Sequence, residues 1–124
     1  MCSTIYRPPR SVGRCGLAIA HVVLFRFAPE LSEPDRTALQ RRVETHANEI
    51  GGMREVRFAR LAQADEPEGW QYLMSMVFAT KAELDGYLAH PVHMELYHWV
   101  MARGCEPLVY DYDPDEAGSL RQPG

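Results

Sequence analysis

The sharpest alternation in the chain runs from Trp70 to Phe78, with Trp70, Tyr72, Met74, Met76 and Phe78 on one side and Gln71, Leu73, Ser75 and Val77 on the other. A period of two residues predicts a strand, and apolar residues on both sides predict a central one. The run from Ala18 to Phe27 repeats the pattern with His21, Val23, Phe25 and Phe27 on one face and Val22, Leu24 and Arg26 on the other. Arg54 to Leu61 and Leu108 to Tyr112 predict two more strands, the former followed by a polar loop from Gln63 to Gly69 that contains Pro67.

Helical spacing separates these strands. Ser32 is placed to cap a helix whose first turn holds Pro34 and Asp35, and Leu39, Val43, His46 and Ile50 recur along it until Gly51-Gly52 ends the pattern. Thr80 followed by Glu83 predicts a second start, with Leu84, Tyr87 and Leu88 as its apolar stripe. Pro91 then forces a break and suits the first turn of a third helix through Met94, Tyr97, Val100 and Met101 to Gly104.

The order is β-α-β-β-α-(α)-β. It predicts an α+β fold of the ferredoxin-like, split βαβ kind: a four-stranded antiparallel sheet with helices on one face. Helices cover one side of such a sheet, yet these strands are apolar on both. A second copy of the same sheet is the economical cover, which predicts a homodimer paired through its sheet faces.

Composition narrows the field. A chain of 124 residues reads as one domain, here residues 17–113, with a flexible leader over 1–16 and a polar tail over 114–124. The formal charge of -4 argues against a nucleic-acid partner and a polybasic membrane patch. Cys2, Cys15 and Cys105 are an odd number without CxxC spacing, which suits reduced thiols in the cytoplasm. The arginines and Pro8-Pro9 of the leader do not resemble an export signal.

Candidate chemistry concentrates at Tyr87-Leu-Ala-His90-Pro-Val-His93, where a phenol and two imidazoles crowd the junction of two helices. Together with His21-Val-Val-Leu-Phe-Arg-Phe in the first strand and Tyr110-Asp111-Tyr112 in the last, this motif resembles the stress-responsive A/B barrel domain family, Dabb, of the dimeric α+β barrel superfamily. The resemblance spans nearly all of the chain between the tails and implies a homodimeric barrel.

For function, the resemblance reaches the olivetolic acid cyclase-like members, cofactor-independent polyketide cyclases. In these the motif tyrosine and second histidine form an acid-base pair, a last-strand carboxylate orients that histidine, and a first-strand histidine lines the pocket. Carried onto this chain, the roles fall on Tyr87 and His93 as the catalytic pair, Asp111 as the orienting acid and His21 as a pocket residue. The chain departs from the cyclase at Tyr72, which stands where the cyclase has a further pocket histidine. Tyr72, His90 and Phe25, the last on the same strand face as His21, are also expected to contact substrate.

The chemistry is simple. A cyclising aldol reaction needs a proton removed alpha to a carbonyl and a donor for the enolate oxygen, so a neutral imidazole and a phenol suffice. On this reading His93 is the base, Tyr87 the donor and Asp111 the group that sets the tautomer of His93. The plain alternatives are that Tyr87 packs with its stripe, that His90 only caps, that His21 is a satisfied buried histidine and that Asp111 pairs elsewhere. His46 reads as structural and His98 as solvent-facing. Pro91 puts His90 at a helix boundary and no third ligand accompanies His90 and His93, so neither a metal nor an organic cofactor is expected. Competing functions are a non-enzymatic, stress-associated or ligand-binding dimer and a cofactor-independent monooxygenase.

Overall fold

The computed structural model describes residues 18–66 and 69–116. The expected leader, 1–16, lies outside the described residues, as does the expected tail beyond Glu116. The elements follow the predicted order: β1 (Ile19–Phe27), α1 (Glu33–Glu49), β2 (Arg54–Arg60), β3 (Tyr72–Phe78), α2 (Lys81–Ala89), α3 (Pro91–Met101) and β4 (Cys105–Tyr112). They form one four-stranded sheet in the order β2-β3-β1-β4, with every pairing antiparallel.

Local chemistry sets the helix ends. Ser32 Oγ accepts from the Asp35 amide at 3.3 Å and Thr80 Oγ1 from the Glu83 amide at 3.1 Å, so each cap satisfies a donor that the first turn leaves free. The Glu83 carboxylate reaches back to accept from the Ala79 amide at 3.0 Å. Gly52 turns the chain after α1 at φ 90°.

Gly104, between α3 and β4, has φ 76°. A Cβ built there would lie 2.5 Å from the backbone oxygen of Ala28, so both conformation and space demand glycine.

The core lies between the sheet and the helices. Val23, Phe25 and Phe27 of β1 meet Tyr72, Met74, Met76 and Phe78 of β3, and Leu39 and Val43 of α1, Leu84 of α2 and Leu96 and Val100 of α3 close over them. Of the apolar residues through which α3 is expected to run, Val100 alone is buried, together with Leu96. Leu96 and Val100 point inward, whereas Met94, Tyr97 and Met101 are each at least 36% exposed. The helix is apolar around much of its circumference, so periodicity alone leaves its rotation open.

β4 begins three residues earlier than expected, at Cys105, and takes Pro107 into the strand. It is an edge strand, where a missing backbone donor is tolerated. β3 starts at Tyr72, with Trp70 outside it and stacked beneath the Arg26 guanidinium at 4.4 Å.

The second face of the sheet carries Val22, Leu24, Leu73, Val77 and Leu108, all only partly buried, with Tyr110 61% and Tyr112 51% exposed. No helix among the described residues covers it. No helix there is long and apolar enough to cross a membrane.

Candidate functional site

A hollow of about 270 Å³ opens between the sheet and the α2–α3 corner. Its floor is His21, Val23 and Phe25 of β1, Met74 of β3, and Pro107, Val109 and Asp111 of β4. Its roof is Tyr87, Leu88, His93, Leu96, Tyr97 and Val100. The lining is chiefly apolar, with a few polar groups converging at one end, the usual make-up of a small-molecule site. A larger depression of about 570 Å³, lined by Arg41, Arg42 and Glu95 among others, is an open groove on the outer surface of α1 and α3. None of the buried titratable groups reaches it.

The α2–α3 corner brings the motif side chains to the hollow. His90 ends α2, where its amide donates to the Tyr87 carbonyl at 3.0 Å, and starts α3, where its Nδ1 accepts from the Val92 amide at 3.1 Å. Pro91 follows as the first residue of α3, where its missing donor costs nothing. Tyr87 and His93, three residues to either side of His90, are thereby turned toward each other with ring centroids 4.4 Å apart.

Tyr87 is 1% exposed and packs against His21, His46, Phe78 and His93 at centroid distances of 5.7, 5.0, 5.1 and 4.4 Å. Its hydroxyl is buried and has no hydrogen-bond partner among the described residues. Burial raises its pKa well above that of an ordinary phenol, so it is a proton donor at neutral pH. His93 moves the other way. Burial, then the nearby His21 and His90, lower its pKa to about 4, which makes it a neutral imidazole at pH 7.

Asp111 does not orient His93. Its Oδ1 lies 2.6 Å from Nδ1 of His21, its register partner on the neighbouring strand. A carboxylate oxygen accepts from Nδ1 at this distance, so in the neutral form of the His21 ring the proton sits on Nδ1 and the lone pair on Nε2. Strand pairing is the reason: side chains of register partners point to the same face a few ångströms apart.

Of the other expected contacts, Phe25 lines the hollow, whereas His90 and Tyr72 do not. His90 is occupied as the cap. Tyr72 pairs with Phe25 in the sheet and lies stacked on Phe58 with centroids 5.6 Å apart, beside Phe27 at 6.1 Å, away from the imidazoles. Period two placed Tyr72 on the correct face, but its position along the strand is what keeps it out.

His46, expected to be structural, is the side chain that sequence reasoning missed. It is fully buried in α1 and its Nε2 is 3.5 Å from His93 Nδ1. Its pKa is lowered to about 4 by burial and by His93, His90 and His21. The signal available was a histidine in an otherwise aliphatic stripe.

Cys105 is buried at the opposite end of β4 from Asp111, and burial raises its thiol pKa to about 11, so it is protonated and not a nucleophile. No group of three or more His, Cys, Asp or Glu side chains among the described residues is arranged to hold a metal ion.

The profile of the stress responsive A/B barrel domain, Dabb, matches residues 19–113. The chain belongs to the Dabb family. No curated protein matches it by sequence. Among solved structures, this Dabb domain is similar to a hydroxynitrile lyase from Passiflora edulis, with 17% identity, a TM-score of 0.70, and coverage of 84% of this chain and 99% of the other. It is also similar to a Dabb family protein with a ferredoxin-like fold from Mesorhizobium loti, at 21% identity and a TM-score of 0.66, covering 79% of this chain and 97% of that one. A dimeric ferredoxin-like protein of unknown function from Jannaschia sp. aligns at 25% identity with a TM-score of 0.62, covering 77% and 98%. These likenesses establish the ferredoxin-like fold.

Proposed function

We propose that this Dabb domain binds a small, mostly apolar carbonyl compound in the hollow and acts on it as a cofactor-independent cyclase or lyase. The observation that carries the reading is a buried phenol whose hydroxyl has no partner among the described residues and a carboxylate-held imidazole, both among the residues that line one apolar hollow. A buried hydroxyl left unpaired costs about 1–3 kcal/mol, so a carbonyl oxygen that accepts from Tyr87 is favoured there.

In the proposed step, His21 Nε2 removes a proton alpha to the carbonyl, and the electron pair moves onto the carbonyl oxygen as an enolate. The Tyr87 hydroxyl donates to that oxygen. The enolate carbon then attacks a second carbonyl of a poly-carbonyl substrate, forming the C–C bond, and the new alkoxide takes the proton back from the His21 imidazolium. Reversed, the sequence cleaves a C–C bond, the lyase direction. General acid-base assistance of this kind is worth about two to four orders of magnitude in rate. The role given to His93 from family resemblance passes to His21, because the Asp111 carboxylate sits there.

That a protein named a hydroxynitrile lyase shares the fold is in keeping with this reading. The sheet's second face supports a homodimer, since a contiguous apolar surface with two exposed tyrosines marks an interface. The description of the Jannaschia protein as dimeric points the same way. A cytoplasmic setting suits the free, buried Cys105 thiol.

The test is α-proton exchange of acetophenone in D2O, followed by proton NMR. Wild-type protein should accelerate exchange above buffer, and both His21→Ala and Tyr87→Phe should remove most of the acceleration. Saturable binding of acetophenone without exchange would favour a ligand-binding protein. Oxygen consumption during turnover would favour a monooxygenase.

A further inference from the structure

His46 takes no part in the scheme above, yet it occupies a position in the stripe of α1 where leucine would pack. Its ring stands on edge against Tyr87, with centroids 5.0 Å apart and planes at 81°. Nε2 reaches His93 Nδ1 at 3.5 Å, across the α1–α3 contact. Its other nitrogen, Nδ1, is buried and has no hydrogen-bond partner among the described residues.

A neutral imidazole carries one N–H, so the proton between the two rings can come from either side. Both rings are neutral at pH 7, because burial lowers each pKa to about 4. If His93 Nδ1–H donated to His46 Nε2, the N–H of His46 would lie on Nδ1, a buried donor with nothing to receive it. If instead His46 Nε2–H donates to His93 Nδ1, only a lone pair of His46 is left unpaired. Orphaned buried N–H groups are the rarer defect in native structures, which selects the second arrangement.

The consequence falls on His93. With Nδ1 accepting, its own proton must be on Nε2. We propose that His46 is a positioning residue that fixes His93 in the Nε2–H tautomer, so that His93 offers the hollow a proton donor and not a base. The catalytic meaning of this assignment rests on the lyase reading. Asp111 fixes His21 in the opposite, Nδ1–H form, so two neighbours sort two chemically equal rings into a base and a donor. His93 then joins Tyr87 in holding the enolate oxygen, and His21 alone removes the proton. A histidine in an aliphatic stripe is explained by the same contact, since leucine could fill the volume but could not donate.

Long-range 1H–15N correlation spectra of the full chain, labelled with 15N and without substrate near pH 7, read the tautomer directly. His93 should show a protonated Nε2 and an unprotonated Nδ1. The reverse pattern overturns the proposal. In His46→Gln the side-chain amide keeps a donor and the His93 pattern should persist. In His46→Leu the donor is lost and His93 should shift toward a mixture of tautomers. A folded His46→Leu protein with an unchanged His93 spectrum also overturns the proposal, and if neither variant folds, the wild-type spectrum decides. The readout needs no turnover: expected spectra with no acetophenone exchange would leave the tautomer lock standing and remove the lyase reading.

Discussion

His21 on β1 and Asp111 on β4 are register partners, and their side chains meet at 2.6 Å on the helix side of the sheet. On the proposed reading, two paired strands thus build a base and the group that sets its tautomer. Asp111→Asn keeps the shape but removes the obligate acceptor, so His21 is no longer held with Nε2 free. Acetophenone exchange should slow on the order of a hundredfold. A rate within a factor of about two of wild type would remove Asp111 from the machinery.

Tyr87→Phe separates stability from function. The lost hydroxyl has no protein partner, so no hydrogen bond is forfeited, and the urea midpoint should be unchanged or higher. Exchange should nonetheless fall by about two to three orders of magnitude, the usual worth of a donor aimed at a developing oxyanion. Parallel urea titrations and exchange rates check both halves.

Acid should weaken the fold through the two buried imidazoles. His46 and His93 have pKa values near 4 when folded against a reference of 6.5, so between these limits the unfolded chain binds more protons than the native one. Their contribution to stability is complete above about pH 6.5 and is lost as pH falls toward 4, at up to about 1.4 kcal/mol per pH unit for each ring. Urea midpoints near pH 7 and near pH 5 should differ accordingly, and His46→Gln should flatten the dependence. Equal midpoints for the wild-type protein would contradict the burial assigned to these rings.

The exposed sheet face predicts an assembly. Leu24 lies at its centre on β1, between Leu73 of β3 and Leu108 of β4. Leu24→Arg places a charge where two apolar faces would meet, and sedimentation equilibrium should report a dimer for the wild type and a monomer for the variant. A wild-type monomer at high concentration would reject sheet-face pairing.

Much of this arrangement could be read from residue order because local rules dominate it. Trp70 to Phe78 alternates too regularly to be other than a strand, and the Thr80 and Ser32 caps form where their hydroxyls predict. The α2–α3 junction followed from Pro91. What stayed hidden depends on contacts between distant segments.

Asp111 belongs to His21 because of the β1–β4 register, which depends on where an edge strand containing Pro107 begins. Tyr72 lies on the correct face but at the wrong height. His46 looked like core because a stripe position states that a side chain is buried and not what it touches; only the packing of α1 on α3 supplies His93.

His90 binds nothing in the hollow, yet it closes one helix and opens the next. Tyr87 and His93 are therefore set against each other by a single residue at the corner that both helices share. Room for a differently shaped guest lies at the exposed rim, where Leu88, Tyr97 and Val109 stand 40%, 42% and 49% exposed. On the proposed reading, a new substrate preference would evolve by exchange of rim side chains while the corner that carries Tyr87 and His93 stays the same.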